Sequence, residues 1–173
     1  ESIIYLREDV MKIYYNFAIE REIFDKIISE DTIADNASER LYSIRQAIKR
    51  INERIHEKLS EFIRKDNNKY LQDAIISVRN GRYVLPVKSE YRQNVKGFIH
   101  DKSQSGSTLF IEPTAILDLN NDLKNELLNE KAEIERILAE LSDKISLISD
   151  KLCESLIYLT NIDLAYSKAQ YSY

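Results

Sequence analysis

A chain of 173 residues is long enough to bury one ordinary core. Charged residues make up 31% and apolar residues 43%, a balance typical of helix-rich soluble proteins, and no apolar run nears the roughly 18 residues that span a bilayer. The single cysteine, Cys153, excludes an internal disulfide and fits a reducing compartment. The start, Glu1 to Arg7, lacks the basic-then-apolar pattern of a signal peptide, so the expected location is cytoplasmic with no membrane partner.

Ile3, Leu6, Val10, Ile13, Phe17, Phe24 and Ile27 recur at spacings of three and four, missing one beat at Glu20. This is the seam of an amphipathic helix, expected from Ile3 to about Glu30. Ser29-Glu30-Asp31-Thr32 and Asp35-Asn36-Ala37-Ser38 then supply turn and cap groups, with Ser38 or Asn36 as N-cap. A second helix follows from about Ala37 to Lys65, with Leu41, Ile44, Ile48, Ile51, Ile55, Leu59 and Phe62 on one face. The two are expected to fold back on each other as an antiparallel pair, a helical arm over residues 1–72.

All three glycines and both prolines, Gly81, Pro86, Gly97, Gly106 and Pro113, fall within one window of 33 residues. These residues interrupt helices most strongly, so they mark a small turn-rich head over residues 73–113 between two uninterrupted arms. Within it the apolar period changes to two. Ala74 to Arg79, Asn80-Gly81 and Arg82 to Val87 read as a hairpin on a type I′ turn, with the nitrogen of Pro86 facing an edge or bulge. Val95 to Asp101 and Thr108 to Glu112 form a second pair across the polar loop Lys102-Ser103-Gln104-Ser105-Gly106-Ser107. The expected fold is mainly α with a small antiparallel β-sheet, in which long antiparallel helical arms carry a four-stranded head.

After Pro113 an apolar face runs through Leu123, Leu127, Ile134, Ile137, Leu141, Ile145, Ile148, Leu152, Leu156 and Leu159 with no breaker. It predicts one long helix from Thr114 to about Ala169, within a second arm over residues 114–173, and stripes of this kind are read as core packing between helices. Tyr166, Tyr171 and Tyr173 need a surface to lie against, so the chain is expected to be a piece of a larger protein.

Charge separates head from arms. Arg79, Arg82, Lys88, Arg92, Lys96 and Lys102 oppose only Glu90 and Asp101, giving +4 from residue 79 to 102 in a chain of net charge −4. An anionic partner would be drawn to the head, where lysine, arginine and the hydroxyls of Ser103, Ser105 and Ser107 offer phosphate-backbone contacts. A solvated polar sheet is the competing reading. No catalytic residue is assigned: His100, Asp101 and the serines lie on neighbouring positions that point to alternate faces, and His56 reads as a surface or packing residue. Asp118, Asn120, Asn121 and Asp122 lack the glycine and spacing of a calcium loop. No metal site, phosphate-cradling loop or dinucleotide fingerprint is present, so neither enzyme activity nor a cofactor is expected of this chain.

The run Gly81 to Lys88, then His100-Asp101-Lys102-Ser103-Gln104-Ser105-Gly106-Ser107-Thr108-Leu109-Phe110-Ile111-Glu112-Pro113, then Leu119-Asn120-Asn121-Asp122-Leu123 resembles the bacterial second-type MutS (MutS-two) family. The resemblance covers essentially the whole chain and places it in the lever helices and clamp of that family's core. It implies a parent protein that is an ATPase using ATP and Mg, dimerises, carries a C-terminal endonuclease domain, and takes part in suppressing recombination or rescuing collided ribosomes. The partner implied is DNA or ribosomal RNA.

On this resemblance the nucleic-acid-binding candidates are Arg79, Arg82, Lys88, Arg92, Lys96, Lys102, Ser103, Ser105 and Ser107. Gly81, Pro86, Gly106, Glu112 and Pro113 form a structural signature, with Gly106 turning the chain and Glu112-Pro113 launching the long helix. The residue order leaves open whether the His100-to-Pro113 run is functional or conformational. It equally leaves open the choice between a nucleic-acid clamp and a mechanical lever that meets protein partners.

Overall fold

The computed structural model describes residues 2–65 and 67–171, with side chains described from Arg7 onward except at Asn67. The seam side chains of Ile3 and Leu6, and Tyr173, therefore lie outside the described set. The elements are α1 (Ser2–Lys12), α2 (Phe17–Lys26), β1 (Ile27–Ser29), β2 (Thr32–Ile33), α3 (Glu39–Arg64), β3 (Ser77–Arg79), β4 (Arg82–Lys88), β5 (Gly97–Lys102), β6 (Thr108–Pro113), α4 (Leu117–Ser146) and α5 (Ser149–Tyr171). Short 3-10 turns occupy Asn67–Tyr70, Ser89–Asn94 and Thr114–Ile116. The fold is mainly helical with a four-stranded antiparallel sheet, as the change of apolar period predicts, and a second, two-stranded sheet of β1 and β2 that it does not. The chain divides into two compact units, Ser38–Glu133 and the segments on either side of it.

In the unit Ser38–Glu133, α3 starts where its cap residue stands. The Ser38 hydroxyl accepts the Leu41 amide at 2.9 Å and donates to Glu133 of α4 at 2.8 Å, satisfying one orphan donor of the first turn. Arg45 pairs with Glu130 at 2.7 Å, and Lys58 donates to the Ala115 carbonyl at 3.1 Å. Partner numbers fall as α3 numbers rise, so α3 and the start of α4 run antiparallel.

The four-stranded sheet has the order β3-β4-β6-β5. Asn80 and Gly81 take φ of 52° and 73°, the two positive values that a type I′ turn demands. Pairing of β4 with β3 stops at Val84, so the missing N–H of Pro86 costs that ladder nothing, while its carbonyl accepts the Gln72 amide at 2.9 Å. Leu85, Val87, Leu109 and Ile111 occupy one face and bury against Ile55 and Leu59 of α3, Ile116 and Leu123. Each such side chain contributes about 1.5–3 kcal/mol. The core of this unit is therefore the sheet's inner face against α3 and the start of α4.

The other unit departs from expectation. The single helix expected from Ile3 to Glu30 is two helices followed by a hairpin. The break has local causes: Asn16 caps α2 by accepting the Ile19 amide at 3.2 Å, and the Tyr14 amide bonds the Ser155 hydroxyl of α5 at 2.7 Å. Ile27 and Ile33 pair across the Glu30-Asp31 turn, taking into strands two residues that helical spacing would also have accommodated.

The single helix expected after Thr114 is α4 and α5. At the junction the Ile148 amide bonds the Ile145 carbonyl three residues back, and the Ser149 hydroxyl donates to the Ser146 carbonyl, a local tightening that needs neither Gly nor Pro. Ile137 and Leu141 are buried, but Leu152, Leu156 and Leu159 are exposed. The apolar stripe read as core packing is thus open over α5. Among the described residues, no helix is long and apolar enough to cross a membrane.

Candidate functional site

In β4 and β6 the even-numbered residues lie on the face away from the core, because successive side chains of a strand alternate. Arg82 and Glu112 therefore share that face, and Phe98 of β5 stands opposite Glu112. His100 joins them through a register shift between Ile99 and Asp101. Glu112 is 1% exposed yet fully engaged. Its Oε1 accepts from Arg82 at 2.7 Å and from the Asn120 amide at 2.7 Å, and its Oε2 meets His100 Nε2 at 2.5 Å. Arg82 extends the network to Asn121 Oδ1 at 2.6 Å. A buried carboxylate needs this much partnership to remain in the interior.

Asn120 also bonds the backbone of Tyr83 at both ends, accepting its amide at 3.2 Å and donating to its carbonyl at 3.1 Å. Residues spread over about 40 positions of sequence thus tie three strands to the first turns of α4. Five positions of the motif that carries the family resemblance, Arg82, His100, Glu112, Asn120 and Asn121, converge here as one hydrogen-bonded knot. Spacing along the chain gives His100, Asn120 and Asn121 no joint role; the signal is their shared place in a motif, and the missing information is distance in space.

The serine loop is also engaged internally. Ser103 Oγ accepts the Thr108 amide at 3.0 Å, Ser105 Oγ lies 2.8 Å from Ser107 Oγ, and Gly106 turns the chain at φ 74°. Asp101 faces Arg79 at 3.5 Å, while His56 rests edge-on against the Tyr83 ring. None of these arrangements sets a hydroxyl against a free base. Among the described residues, no group of three or more His, Cys, Asp or Glu is placed to hold a metal ion.

The six basic candidates separate into two kinds. Arg79 stacks on the Phe110 ring at 4.0 Å, Arg82 belongs to the Glu112 knot, and Arg92 donates to the carbonyls of Val95 and Gly97 at 3.0 Å each. Lys88 reaches the Lys69 carbonyl at 3.4 Å. Lys96 and Lys102 are exposed, and among the described residues neither ammonium has an ion pair or hydrogen bond. Arginine forks suit fixed multidentate bonding, whereas lysine keeps a mobile point charge in water, and this head uses them accordingly. The free positive charge lies at the two ends of β5.

No protein-family model matches the chain. Curated relatives do. The chain is 46% identical over 89% of its length to Endonuclease MutS2 of Clostridium botulinum (strain Eklund 17B / Type B), 47% over 88% to that of Clostridium perfringens (strain 13 / Type A), and 49% over 89% to that of Clostridioides difficile (strain 630). It spans only 19–20% of the length of each of these relatives. With identity at this level over nearly nine-tenths of its length, the chain belongs to the MutS2 family, as a segment of it.

Proposed function

We propose that this chain is the lever and clamp segment of a MutS2-type protein. It positions the parent on nucleic acid through phosphate-backbone contacts and links that grip to an ATPase elsewhere in the parent chain, where ATP and Mg belong. The observation that carries the reading is the pair of ammonium groups without a partner among the described residues, Lys96 and Lys102, at the ends of one strand in a stretch that is +4 in a chain of −4. The relatives' name, endonuclease, points to nucleic acid as the partner class. The exposed Ser105 and Ser107 of the loop after that strand serve as secondary contacts, with Lys88 of β4 and Arg79 of β3 farther across the sheet. Arg82 and Arg92 serve by holding the sheet.

The test is a titration against branched DNA, duplex DNA and ribosomes at several salt concentrations. Affinity should fall steeply with salt, and Lys96→Ala with Lys102→Ala should reduce the slope of log affinity against log salt by about 1.8 on duplex DNA. Sequence preference should not change, because backbone contacts carry no base information. An unchanged affinity and slope would remove the clamp reading.

A second reading has its own observation. Leu156, Ile157, Leu164 and Tyr166 of α5 are 64%, 61%, 53% and 62% exposed, more apolar surface than a solvated helix needs. This favours a lever whose partners are proteins, whether other parts of the parent or a second copy, with binding that resists salt.

A further inference from the structure

The open surface of β5 carries an aromatic ring as well as charge. Phe98 is 56% exposed, and among the described residues it has no ring or cation partner. Phe110, on the same face, has its ring covered by Arg79. Phe98 stands two residues from Lys96, about 6.6 Å along an extended strand and on the same side of the pleat. Lys102, at the other end of the strand, pairs with Leu109 beyond the register shift and so lies on the other side of the pleat from Phe98. β5 is an edge of the sheet; among the described residues no further strand pairs with it, and the side chains of Arg92 and Asn80 bond its Gly97 and His100 carbonyls.

The opposite edge is the internal control. β3 also exposes an apolar side chain, Val78 at 51%, but it is not aromatic and its neighbouring cation, Arg79, is committed to Phe110 and Asp101. Of the two edges, β5 alone combines an uncovered ring with unpaired ammonium groups among the described residues. Rings interleaved with cations fit a chain that alternates flat bases with phosphates. A protein hot spot would call for a desolvated apolar setting and few lysines. A continuous duplex offers the phosphates but keeps its base faces stacked.

We infer that β5 is a stacking platform for unpaired nucleotides: Phe98 takes the face of a base, Lys96 on the same side takes an adjacent phosphate, and Lys102 at the strand's far end adds long-range positive charge. The inference rests on the nucleic-acid reading above and narrows it to single-stranded or locally unpaired substrate, as at a branch or loop. Glu112, buried directly opposite Phe98, is ion-paired with Arg82 and so does not repel the phosphates as a bare carboxylate would.

The experiment uses the 173-residue chain with a single-stranded oligonucleotide bearing one 2-aminopurine and with a blunt duplex of equal length. Phe98→Ala should weaken single-strand binding about tenfold, abolish the fluorescence change of 2-aminopurine, and leave both the salt slope and duplex binding as they were. Phe98→Trp should restore affinity and fluorescence change, which a merely structural role would not. Thermal melts of both variants should match the parent chain, since the side chain is exposed.

If Phe98→Ala binds the single strand like the parent chain while Lys96→Ala and Lys102→Ala weaken both ligands, stacking is wrong and the backbone reading stands. If the parent chain binds neither ligand at low salt, both fall together. If Phe98→Ala instead abolishes self-association or capture of a protein partner with no change in oligonucleotide affinity, the surface is a protein interface and the inference is overturned.

Discussion

Asn120 supplies Tyr83 with the hydrogen bonds that a paired strand residue would have given it. Leu85 pairs with Ile111 and Val87 with Leu109, so continuing that register places Tyr83 opposite Pro113. Proline has no N–H to donate. The Asn120 side-chain amide, in a residue 1% exposed, instead offers one donor and one acceptor to the same backbone pair. Asn120→Ala should therefore leave two part-buried backbone groups and one lone pair of Glu112 without their partner, at a cost of about 1–3 kcal/mol for the unit Ser38–Glu133. Urea denaturation checks this, and a loss below about 0.5 kcal/mol would contradict it.

Arg82 and Lys96 are both basic residues of the head, but their removal should have opposite consequences. Arg82→Ala strips a 1%-exposed carboxylate of a charged partner, which typically costs about 3–5 kcal/mol. Lys96→Ala removes a side chain with nothing to lose in the folded state, and stability should stay within about 0.5 kcal/mol. Comparing melting curves of the two variants decides whether the head's arginines are scaffold. It also sets the rule for binding studies: charge removal should be made at Lys96 and Lys102, because an Arg82 variant would confound binding with folding.

Gly97 is required by space. A Cβ placed there would lie 2.1 Å from the Glu112 carbonyl oxygen, inside any allowed contact, and the obstacle is backbone. Gly97→Ala should force β5 away from β6 and cost about 3 kcal/mol or more. Gly81 and Gly106 sit at φ of 73° and 74°, and a Cβ added at either would meet nothing within 4 Å, so alanine there should cost only the left-handed backbone penalty of about 1–2 kcal/mol. Amide exchange along β5 distinguishes the cases: protection should collapse in Gly97→Ala alone.

Glu22 makes one tie of the other unit sensitive to acid. Its carboxyl is held below the usual carboxylate range, chiefly because Lys144 of α4 hydrogen-bonds to it, with Lys26 adding a second bond. A carboxyl lowered in the folded state adds stability above its ordinary pKa of 4.5 and loses it as pH falls through the lowered folded value. Lys144→Ala should melt earlier than the parent chain at pH 7 by under about 1 kcal/mol. The two should converge as pH drops below 4.5 towards the folded pKa, and a difference that persists at lower pH would show that the tie is not ionic.

Elements with local causes were legible in the order of residues alone. Asn80-Gly81 specifies its hairpin because two adjacent residues tolerate positive φ, and Ser38 specifies the start of α3 because a cap and its amide lie three residues apart. Alternation and helical spacing likewise separate sheet from helix across residues 77–113 and 39–64. The family resemblance was legible for the same reason, as a run of residue types in order.

Whatever depends on distance through space came only with packing. Helical spacing carried through Ile13, Phe17 and Ile27 could not register that Asn16 caps a new helix or that Ser155, 141 positions beyond Tyr14, takes its amide. Nor could composition distinguish the arginines that hold Glu112, Phe110 and two carbonyls from Lys96 and Lys102, whose ammonium groups have no bond among the described residues, since all six basic candidates count equally in a sum of charge. Glu112, His100 and Asn120 meet because β5, β6 and α4 pack together, and Phe98 stays open because β5 ends the sheet. Whether a side chain is spent on the fold or left for a partner is set by which neighbours the packed chain brings within about 3 Å of it, and that distance exists only after folding.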